Sequence, residues 1–82
     1  MTAAEFRHRC AGLDRVISRE LFRELFTEGR ALTTATDAEL ADNFGVARPT
    51  ISRWIRGVTC PATLGRRHYL RKLLRHVKGG DR

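Results

Sequence analysis

Residues 36–57, TDAELADNFGVARPTISRWIRG, decide how this chain folds, because they encode two short helices joined by a glycine turn. Thr36 with Glu39 three positions on is a capping box, in which the hydroxyl and the carboxylate satisfy backbone N–H groups that a helix start leaves unpaired. Leu40, Ala41 and Phe44 then share one face. Gly45 follows where a left-handed cap is wanted. The second helix begins after Ala47, with Pro49 in its first turn, where a missing N–H does no harm, and it stops at Gly57. Ile51, Trp54 and Ile55 fall at helical spacing and define its buried side. Pro49, Ser52, Arg53 and Arg56 face the other way, a narrow cationic surface.

Working outward, the sequence up to this stretch reads as helical from Ala3 to Glu28. Phe6, Cys10, Leu13, Ile17 and Leu21 form one stripe, and Phe22, Leu25 and Phe26 broaden it. Gly12 weakens that run and Asp14 can cap a fresh start, which predicts a short N-terminal helical arm over 1–13 and a longer helix from about Asp14 to Glu28. The arm's apolar stripe either packs back on the C-terminal helix or forms a dimer contact. Arg15, Arg19, Glu20, Arg23 and Glu24 read as a solvated face. Gly29 is expected as a helix cap, and Leu32 as an anchor in the connector. Beyond Gly57, Pro61 enforces a loop and Thr63 is placed to cap a last helix over Leu64–Val77. In that helix Leu70, Leu73, Leu74 and Val77 form the apolar face and Arg67, Arg71, Lys72 and Arg75 the basic one. Residues 79–82 read as a frayed tail.

The fold expected is therefore all-α, a compact bundle of four or five helices in one domain over residues 1–82. Its charge is segregated. Residues 1–42 hold six Arg against eight Asp or Glu, net −2, whereas residues 43–82 hold ten Lys or Arg against one Asp, net +9. A cationic half of this kind points to a polyanionic partner, since clustered positive charge is rewarded by counterion release from dense phosphates. No enzyme is expected: Glu20 and Glu24, Asp37 and Glu39, Ser18 and Ser52 stand at cap or surface spacings with no nucleophile, base and acid in order. His8, Cys10, Cys60, His68 and His76 lack metal-ligand spacing, so neither a metal nor another cofactor is expected. With no long apolar run and no leader pattern, no membrane partner is expected and the location expected is cytoplasmic.

Glu39, Leu40 and Ala41, then Gly45 and Val46, then Thr50, Ile51, Ser52, Trp54, Gly57 and Pro61 together resemble the lambda-repressor-like, Cro/C1-type helix-turn-helix family of DNA-binding proteins. Ala41 suits the place where the two helices cross closely. The resemblance implies that the helix Arg48 to Arg56 enters the major groove of double-stranded DNA while the helix before it crosses the backbone. It implies base-facing roles for Arg48, Pro49, Thr50 and Arg53, with Ser52 beside them on the reading face, and a phosphate contact for Arg56. Arg53 is the residue expected to set specificity, because a guanidinium can take guanine O6 and N7 together. Thr36 and the amides after it are expected to hold a phosphate, and Arg66 and Arg67 to reach others from the last helix. Asp37 departs from the family, which often has a glutamine there that contacts the backbone. A carboxylate repels phosphate, so Thr34 or Thr36 takes that contact.

The function implied is a small transcriptional regulator, a repressor, working as a homodimer on a pseudo-palindromic site. The N-terminal stripe is the first choice for pairing and the C-terminal helix the second. Two alternatives use the same domain differently: an antitoxin or accessory factor that binds a protein partner such as a toxin or polymerase, or an excisionase-like factor that bends DNA.

Overall fold

The computed structural model describes residues 1–77, so the tail at 79–82 lies outside the described residues. These form five α-helices: α1 (Ala3–Ala11), α2 (Arg19–Ala31), α3 (Asp37–Phe44), α4 (Arg48–Arg56) and α5 (Arg66–Leu74), with a 3₁₀ turn at Thr63–Gly65 leading into α5. The fold is all-α, as its apolar periodicity predicts. α2 is the central element and packs on α1, α4 and α5, while α3 lies against α4 and α5.

The core is one continuous cluster whose aromatic part joins four helices. Phe22 and Phe26 of α2 stack at 5.2 Å, and each meets Trp54 of α4 edge-on, at 5.6 and 5.5 Å. Phe26 also reaches Phe44 of α3, and Tyr69 of α5 lies 4.9 Å from Trp54. Such ring pairs contribute about 0.5–1.5 kcal/mol each beyond area burial. They hold the α3–α4 pair on the α2–α5 scaffold through side chains from all four elements.

Several expected boundaries move, each for a reason. α2 starts at Arg19 and not near Asp14, because the Ser18 hydroxyl accepts the Leu21 amide at 3.0 Å and caps the helix there. Leu13 and Ile17 therefore stand in a loop despite their helical spacing, although Ile17 is buried. Gly29 is no cap but an interior residue of α2. A Cβ built on it would lie 2.5 Å from Phe6 Cζ and 2.7 Å from Leu73 Cδ2, so its missing side chain is what lets α1 and α5 close on α2. Phe6 and Cys10 are spent in that closure, with 0% and 2% of their surface exposed. The N-terminal stripe thus packs back on the C-terminal helix within the chain.

Thr63 opens the 3₁₀ turn and makes no cap for α5, whose first turn has no side-chain cap. Leu64, expected in the last helix, is exposed. Val77 lies beyond α5, buried, and pairs with Thr33 in an isolated antiparallel bridge. Ile55, expected on the buried side of α4, is only half-buried against the core.

Candidate nucleic-acid interface

α3 is set by its own residues. The Glu39 amide donates to Thr36 Oγ1 at 3.1 Å and the Thr36 amide donates to Glu39 Oε1 at 2.7 Å, closing the capping box. The bond from the Thr36 backbone, then that from its side chain, holds the Glu39 carboxyl below its ordinary value of 4.5. Gly45 ends the helix at φ 72° with its amide turned back to Ala41 and Asp42. α4 follows after two further residues, starts from Ala47 without a side-chain cap, carries Pro49 in its first turn, and ends at Gly57 with φ 76°.

The faces of α4 separate cleanly. Ile51 and Trp54 are buried. Arg48, Pro49, Arg53 and Arg56 are exposed, and Thr50 and Ser52 are half-buried at the edges. Among the described residues, the guanidinium groups of Arg48, Arg53 and Arg56 have no hydrogen-bond or ion-pair partner. Three unneutralised arginines on a nine-residue helix make a dense, available positive surface.

Several cations elsewhere are occupied. Arg23 Nε donates to the Ile55 carbonyl at 2.9 Å and so holds the C-terminal end of α4, where a positive charge also suits the helix dipole. Lys72 Nζ donates to the Asn43 carbonyl at 3.1 Å and does the same for α3. Arg30 meets Asp37 Oδ1 through two nitrogens, at 3.0 and 2.9 Å. That pair neutralises the carboxylate that, at the start of α3, would otherwise repel phosphate. The charged face of α2, in sequence merely a solvated one, thus supplies Arg23, and its last turn supplies Arg30. Neither role is visible in sequence spacing, because the partners lie on other elements.

The residues expected to touch phosphate divide. Arg66 donates through Nε to the Pro61 carbonyl at 3.1 Å and through a terminal nitrogen to the Ile17 carbonyl at 2.8 Å. It laces the loop before α2 to the loop before α5, and its guanidinium is spent on structure. Arg67 is half-buried. At the start of α3 both the amide and the hydroxyl of Thr36 are engaged in the capping box, whereas Thr34 is exposed. Thr34 shares a cleft with Arg75, His76 and Glu39. Spacing alone puts Arg75 in the basic stripe of the last helix, and the fold brings it beside the α3 start.

No protein-family model, curated protein or solved structure matches this chain. Among the described residues no group of His, Cys, Asp and Glu is arranged to hold a metal ion. No helix among them is long and apolar enough to cross a membrane. Cys10 and Cys60 are both free thiols, and burial pushes the Cys10 thiol from 9.0 up to about 11.

Proposed function

We propose that this protein binds double-stranded DNA in a sequence-specific way, with α4 in the major groove, and acts as a small transcriptional regulator of the repressor kind. The observation that carries this reading is the outer face of α4, where Arg48, Arg53 and Arg56 stand exposed and unpartnered among the described residues, on a helix anchored through Trp54 and the Arg23 bond. Rigid presentation matters, since base readout needs donors held at fixed spacing. Arg53 lies mid-face and reads a base edge, with Arg48, Pro49, Thr50 and Ser52 beside it. Pro49 offers an apolar contact for a thymine methyl. Arg56, one turn nearer the C-terminus, takes a phosphate. Thr34 and Arg75 take another near the start of α3.

One such helix covers little DNA, so the protein binds as a homodimer across a two-fold site. Light scattering on the protein alone and on a duplex tests this, and a monomer in both states refutes the dimer. Selection of bound sites from a random duplex library tests the DNA reading itself. Two inverted half-sites about one helical turn apart are expected. A bound pool with no enriched sequence contradicts base readout.

A further inference from the structure

Three of the four large apolar side chains exposed among the described residues lie on segments that meet at one end of the molecule. Val16 is 57% exposed in the loop before α2, Val58 61% just after α4, and Leu64 65% in the 3₁₀ turn before α5. Arg66 brings these segments together, because it donates to the Ile17 and Pro61 carbonyls at once. Thr59 and Cys60 share one shallow depression with Arg19, so the segment after α4 runs beside the start of α2. We propose that a second copy of this chain docks on this end, an inference that rests on the homodimer reading above and names its surface.

The apolar faces of the two helices expected to pair are already used. Phe6 and Cys10 of α1 and Leu70 and Leu73 of α5 are buried within the chain, and only apolar surface still in water can drive association. Charge then decides which partner the exposed end takes. Residues 57–65, GVTCPATLG, are the longest uncharged run of a chain that is 30% charged and carries a net charge of +7. Two copies of so cationic a protein repel wherever their outer α4 or α5 faces meet, and an uncharged surface is where that repulsion is least. A polyanion finds nothing to grip along this run. Apolar side chains amid a depletion of charge are also the composition of an interface core. At its edge Asp14, Arg15, Arg19 and Glu20 are exposed, two of each sign. In a two-fold contact one patch faces its own copy, so a rim of balanced sign can pair with itself where a one-signed rim would repel. The run starts at the residue that ends α4, so docking there fixes the two reading helices relative to each other.

Sedimentation of the full chain without DNA measures this apart from any base reading. Self-association with a Kd of about 100 μM or tighter is expected. Leu64→Glu and Val58→Glu each put a charge into the contact and are expected to weaken it at least about tenfold. Both substitutions lower the net charge of the chain, which by itself would favour association, so a loss reads on the site. Ala4→Glu, on the exposed side of α1, makes the same change of charge and is expected to leave association undiminished. Positions 58 and 64 are exposed, so the melting temperature is expected to stay at the wild-type value, and if one variant melts lower the other decides. A monomer up to roughly 500 μM overturns the proposal. So does association that Leu64→Glu and Val58→Glu leave unchanged, which would place the homodimer contact elsewhere, or an equal loss in Ala4→Glu. None of these failures touches the base-reading role of α4, which is measured on DNA.

Discussion

α3 and α4 begin and end on signals carried within their own residues and immediate neighbours, whereas α2 and α5 are held against the rest of the molecule by groups far along the chain. Thr36 and Glu39 cap α3, and Gly45 and Gly57 close the two helices in left-handed geometry. Around them, Gly29 sits inside α2 because Phe6 and Leu73 need its space, and Arg66 fastens loops to the carbonyls of Pro61 and Ile17. The first kind of structure can be read from a short stretch of sequence. The second is a property of the packed molecule, and it is what fastens the α3–α4 pair to α2 and α5.

The two regions share one core, and Phe26 is the residue that joins them, contacting Phe22, Trp54 and Phe44. Phe26→Ala is expected to cost about 3–5 kcal/mol and to lower a single thermal transition seen equally by far-ultraviolet circular dichroism and by Trp54 fluorescence. Two separate transitions in the wild-type protein would show that the regions fold independently. Gly29 and Gly12 sharpen the contrast. Helix propensity alone makes Ala favourable at both, by up to about 1 kcal/mol. At Gly29 the added methyl meets Phe6 and Leu73, and Gly29→Ala is expected to destabilise by about 1–3 kcal/mol. At Gly12 the nearest atom to a Cβ is 3.8 Å away, and Gly12→Ala is expected to be neutral or slightly stabilising in denaturant melts.

Gly45 isolates the local kind of signal. Nothing lies within 4 Å of a Cβ there, so the cost of Gly45→Ala is backbone strain alone, about 1–2 kcal/mol, and Gly45→Asn should recover part of it. The smallest effect belongs to the α3 capping box. The Glu39 carboxyl is depressed in the folded state, so its contribution is present above the unfolded value and is lost as pH falls through the folded one. Stability below about pH 4 should therefore fall less steeply in Glu39→Gln than in the wild type. Equal slopes would remove the carboxylate from the explanation of how α3 starts.

Much of the α3–α4 pair is legible in sequence: Leu40, Ala41, Phe44, Ile51 and Trp54 are buried as their spacing predicts, and Arg48, Pro49, Arg53 and Arg56 are exposed. Thr50 and Ser52 sit at the edges of that face. Less legible is what periodicity cannot encode. The stripe through Leu13 and Ile17 mimics a helix, but the Ser18 cap begins α2 later, and the Ile17 carbonyl is satisfied by Arg66 from 49 positions away. Arg66 resembles a phosphate ligand for the same reason that it serves as a lace, since its guanidinium donates in several directions at once. The grips of Arg23, Arg30 and Lys72 on the ends of α3 and α4 are likewise long-range or inter-element contacts.

The most direct test of the proposed function compares Arg53→Ala and Arg56→Ala with the wild type on the selected duplex and on a scrambled one, over a range of salt. Arg53→Ala is predicted to lose about 1–3 kcal/mol on the selected duplex and little on the scrambled one. Arg56→Ala should weaken both alike and reduce the salt slope by about one unit. Equal losses on both duplexes from both substitutions would contradict a base-reading role for Arg53, and unaltered binding in both would remove α4 from the interface.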